Sequence, residues 1–97
     1  MKAPWAYVSG LLDLETITDP SERRATWRQA IAALARAPMD GPSPLDGLHP
    51  EALGRGVHAA MISGLVDDLD WLAAPAAGVA LYALAAALPP EIGRAHV

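Results

Sequence analysis

The chain contains no cysteine, which removes any disulfide framework, any thiolate zinc site and any thiol nucleophile. Phenylalanine and asparagine are missing too, and the aromatic residues are three tryptophans and two tyrosines. Basic residues are outnumbered: seven Lys and Arg stand against eleven Asp and Glu, giving a net charge of −4. A nucleic-acid binder usually presents a basic face, and no basic run exists here, so no nucleic-acid partner is expected. β-Branched residues are scattered without alternation, which argues against strands. Residues 1–15 carry Asp13 and Glu15 and lack the apolar core of a secretory signal. With the absence of cysteine, this makes the cytoplasm the expected compartment.

Chemical motifs are equally scarce. Ser9-Gly10 and Ser63-Gly64 lack the preceding glycine of a nucleophile elbow, and no phosphate-binding or dinucleotide-binding loop occurs. His49, His58 and His96 stand at no metal-ligand or catalytic-triad spacing. Asp67, Asp68 and Asp70 are the one dense acidic cluster, without the glycine-bearing spacing of a calcium loop, and carboxylates at a helix start are favoured by the helix dipole alone. No catalytic residue can be named, and no cofactor or metal is expected.

What remains is helix. Ninety-seven residues suffice for one domain, and 53% hydrophobic content is too high for a disordered chain. Alanine, the best helix former, makes up about a fifth of the positions. Asp19-Pro20-Ser21-Glu22 supplies an N-cap, a proline at the first helical position and a capping-box glutamate. Behind it Trp27, Ala30, Ile31 and Leu34 follow at i, i+3, i+4, i+7, so residues 20–37 are predicted as a helix.

Gly41, Pro42 and Pro44 then force an irregular loop over residues 39–47, which Leu45 and Leu48 can pin to the core. Another helix is predicted from Pro50, with Leu53, Val57, Ala60 and Met61 on one face and Gly64 in the left-handed position after it. Gly54 and Gly56 weaken that helix and make sense if another backbone approaches closely. Residues 67–72 read as a short acidic helical turn with Leu69 and Leu72 inward. The last helix, 76–88, is apolar on every side. A first helix over about 4–14, with Trp5, Val8, Leu11 and Leu12, is interrupted at Ser9-Gly10.

The expected fold class is therefore all-α, with four to five short helices. They form either a small bundle or the first hairpins of a HEAT-like α-solenoid. The solenoid alternative rests on setting Pro20, Pro50 and Pro75 in register, which aligns Trp27, Val57 and Tyr82, and likewise Ile31, Met61 and Ala86. The expected core is Trp27, Ile31, Leu34, Val57, Met61, Leu81, Leu84 and Leu88.

Residues 71–90 carry no charge and are long enough to cross a bilayer, but they are alanine-rich, contain Pro75 and have no flanking Lys or Arg outside the final residues. A membrane anchor is the third-ranked reading. The leading one is a protein–protein interaction or scaffolding module forming the N-terminal part of a longer helical, possibly repeat, protein, and the second is a helical cap or accessory region of an enzyme whose active site lies beyond Pro90. Two surfaces are candidates for partner contact. Arg23, Arg24 and Arg28 could grip an acidic group or simply form a solvated face. Val79 and Tyr82, with Ala83 and Ala86, form a face of the apolar helix expected to be exposed and to meet a protein partner, downstream helices of the same chain or a second copy.

Residues 91–97, Glu-Ile-Gly-Arg-Ala-His-Val, back-translate as GAG ATC GGA AGA GCA CAC GTC. This resembles the start of a sequencing adapter read in frame, unlike the codons a GC-rich bacterial gene would use. The domain is accordingly expected to span 1–90, with 91–97 a non-native tail and the natural chain continuing past Pro90.

Overall fold

The computed structural model describes residues 4–37 and 41–88. The tail 91–97 with His96, the loop positions Met39 and Asp40, and the Trp5 side chain lie outside what it describes. Along the chain come α1 (Pro4–Val8), a 3₁₀ helix (Ser9–Asp13), α2 (Pro20–Arg36), α3 (Pro50–Ile62) and α4 (Ala74–Ala87), with no strand among the described residues. The radius of gyration is 12.4 Å, matching the ~12.5 Å expected of a compact domain of this length.

The starts of α2 and α3 and the end of α3 have identifiable causes. At α2 the Asp19 carboxylate accepts from the Glu22 backbone N–H at 3.0 Å, and Pro20 opens the first turn. At α3 the His49 Nδ1 accepts from the Glu51 N–H at 3.3 Å, so His49 is a helix cap. Its far end is a Schellman motif: Gly64 takes φ +77°, Gly64 N–H donates to Met61 O, and Leu65 N–H donates to Ala60 O. Only glycine enters that left-handed conformation without a Cβ penalty. At the N-terminus the α-helix tightens into 3₁₀ geometry from Ser9, and the Ser9 hydroxyl donates to Ala6 O at 2.8 Å.

The core gathers Val8, Leu11 and Leu14 from the N-terminal segment with Trp27, Ile31 and Leu34 of α2, Leu53 and Val57 of α3, and Ala80 and Leu84 of α4. Leu45 and Leu65 join from the connections. α2 lies at the centre, packed on α1, the 3₁₀ helix and α4, whereas α3 rests mainly on the 3₁₀ helix. The closeness of that last contact depends on Gly56. A Cβ there would fall on the Leu11 carbonyl oxygen, so the helix and the 3₁₀ backbone touch directly.

The architecture is a small helical bundle. A solenoid hairpin would pack consecutive Pro-started helices on each other, whereas here the principal contact of α3 is with the 3₁₀ helix and that of α4 with α2. Nor do the aligned positions share surroundings: Trp27 and Val57 are buried while Tyr82 is exposed, and Ile31 is buried while Met61 and Ala86 are exposed.

Two expected core residues lie outside the core. Met61 is 38% exposed because the buried stripe of α3 runs through Leu53, Val57 and Ala60 and leaves Met61 beside it. Leu81 is 39% exposed because α4 turns Ala80 and Leu84 toward α2 instead. Leu88 is half-buried against the core. Residues 67–72 form successive turns rather than a helix, with Leu69 and Leu72 half-buried as expected.

α4 spans 14 residues, about 21 Å, short of the ~30 Å hydrocarbon core of a bilayer. Among the described residues no helix is long and apolar enough to cross a membrane.

Candidate functional site

The three arginines proposed as a partner-binding patch have separate fates. Arg23 is half-buried and acts as a clamp. Its Nε and Nη2 donate to Ile17 O at 3.3 and 2.8 Å, and Nη1 donates to Ser63 Oγ at 3.0 Å. It thereby ties the approach to α2 to the end of α3. Arg28 lies over the Trp71 ring, 5.2 Å from its centroid, and pairs with Asp68 at 3.7 Å. The Trp71 indole N–H donates in turn to Asp68 O at 2.9 Å, so Arg28 fastens the α3–α4 connection to α2. Arg24 alone remains exposed, without a hydrogen bond or ion pair among the described residues. Arg23 and Arg28 thus each hold a tertiary contact, and Arg24 is the solvated one of the three.

Among the described residues no group of three or more His, Asp or Glu is placed to hold a metal ion. Asp67 and Asp70 are exposed, and Asp68 serves the Arg28 contact. His58 is exposed on α3.

The second candidate surface is more coherent. A groove of about 190 Å³ runs between the last turn of α2, the turn at residues 41–46 and α4. Leu34 and Ala37 form one wall, Pro44 and Asp46 another, and Val79, Tyr82, Ala83 and Ala86 the third. The four α4 residues expected to share an open face thus line one concavity. Tyr82 and Ala86 are exposed, and Val79 and Ala83 are half-buried.

The loop wall is pinned to the fold by a buried leucine and closed by its own hydrogen bonds. Leu45 is buried at 2% exposure, Asp46 N–H donates to Ser43 O at 3.0 Å, and the Asp46 carboxylate accepts from Ser43 N–H at 3.2 Å. Among the described residues, Asp46 is the one Asp, Glu, His, Lys or Arg lining the groove. Its contribution was not foreseen from the sequence, although Leu45 as a core pin implied that its neighbours would stand beside a helix.

Beyond the groove, α4 turns a second stripe to solvent. Gly78, Leu81, Tyr82 and Ala85 are all exposed and follow at i, i+3, i+4, i+7, the spacing of a helix contact face. Tyr82, 73% exposed, belongs to both groove and stripe. α4 carries no Asp, Glu, Lys or Arg. No protein-family model matches this chain, and searches of curated proteins and of solved structures return no match either.

Proposed function

We propose that the chain is a protein–protein interaction module whose working surface is the outer side of α4 with the groove beside it. The observation that carries this reading is Tyr82, 73% exposed beside Leu81 on a helix without charged residues. Solvated helix faces normally carry charge, and leaving a tyrosine and a leucine together in water forgoes burial free energy of ~25 cal/mol per Å². Tyrosine is enriched at interface hot spots because it offers a large rigid area and one polar tip. The groove supplies the concavity, and its loop wall, pinned by Leu45, is already folded in the free chain, which limits the ordering cost of binding.

The test is a dye titration of the folded chain at a few micromolar, alongside its thermal melt. ANS should bind, and Leu81→Ser with Tyr82→Ser should abolish most of that binding while leaving the melt cooperative and its midpoint little changed. A folded chain that binds no ANS, or whose binding ignores both substitutions, would refute the proposal.

A further inference from the structure

We draw no further inference here: the strongest candidate, the apolar outer face of α4 with the groove beside it, belongs to the surface already proposed for partner contact, and nothing in the structure shows what covers it.

Discussion

Replacing Gly56 by alanine sets two opposed effects against each other, and their sizes decide the sign. Helix propensity alone favours the change, since alanine is better than glycine in a helix interior by about 1 kcal/mol. Packing opposes it. The new Cβ would overlap the Leu11 carbonyl oxygen and lie 2.9 Å from the carbonyl carbon. Both atoms are backbone, in a 3₁₀ helix locked in place by Val8 and Leu11 at 0% exposure and Leu14 at 1%, so no side chain can rotate aside.

Restoring ordinary contact requires the 3₁₀ helix to move more than about 1 Å from α3, which thins the main contact α3 has with the bundle. Overpacking a well-packed core costs about 1–3 kcal/mol, and a backbone obstacle belongs at the upper end. The net expectation is a loss of about 2 kcal/mol, which lowers Tm by roughly 8–16 °C for a domain of this size. Thermal and urea melts followed by far-UV circular dichroism at a few micromolar measure it. Gly78→Ala is the internal control: its Cβ meets nothing, so it should gain about 1 kcal/mol from propensity alone. If Gly56→Ala melts at or above the parent temperature, the close approach of α3 to the 3₁₀ helix is wrong.

Trp27 is 1% exposed and its indole N–H has no hydrogen-bond partner among the described residues, so Trp27→Ala should cost about 3–5 kcal/mol through packing alone; a loss below about 1 kcal/mol in a urea melt would contradict its central place. Trp27→Phe forfeits no hydrogen bond and should be much milder by the same melt. Asp19→Ala removes the cap of α2 and should cost about 1 kcal/mol, with faster amide exchange at Glu22 as its local sign. Arg23→Met keeps the aliphatic stem but loses three hydrogen bonds, which predicts a loss of about 1–2 kcal/mol and faster amide exchange near the ends of the clamp.

Where local chemistry decides the structure, the sequence is legible. Asp19-Pro20 starts α2, Gly64 ends α3, and the i, i+3, i+4, i+7 stripe of α2 is buried at Trp27, Ala30, Ile31 and Leu34. Legibility fails where local pattern is silent. α4 is apolar on all sides, so nothing in its composition selects Ala80 and Leu84 over Leu81 as the inward residues; docking on α2 makes that choice. Arg23 and Arg28 read as a surface pair because their spacing is visible and their partners are not. Ser63, Asp68 and Trp71 arrive from forty or more positions away. The spacing of Val79, Tyr82, Ala83 and Ala86 marks one face of α4, whereas the loop wall at Pro44 and Asp46 that makes a groove of it depends on how residues 41–46 fold back.

The way α4 is attached sets the order in which the molecule comes apart. Its principal contact is with α2 alone, and only Ala80 and Leu84 of its side chains are fully buried. Burying an alanine and a leucine contributes little beside the five buried residues of α2 or the N-terminal leucines. α4 can therefore swing away about the exposed Ala73, beyond the part of the connection that Leu65 and the Arg28–Trp71 contact keep anchored, while α1, the 3₁₀ helix, α2 and α3 stay assembled, an opening less costly than global unfolding. Its amides should exchange through this local route, ahead of those of α2. Whatever binds its outer face then holds this seam closed, stabilising α4 without touching the centre.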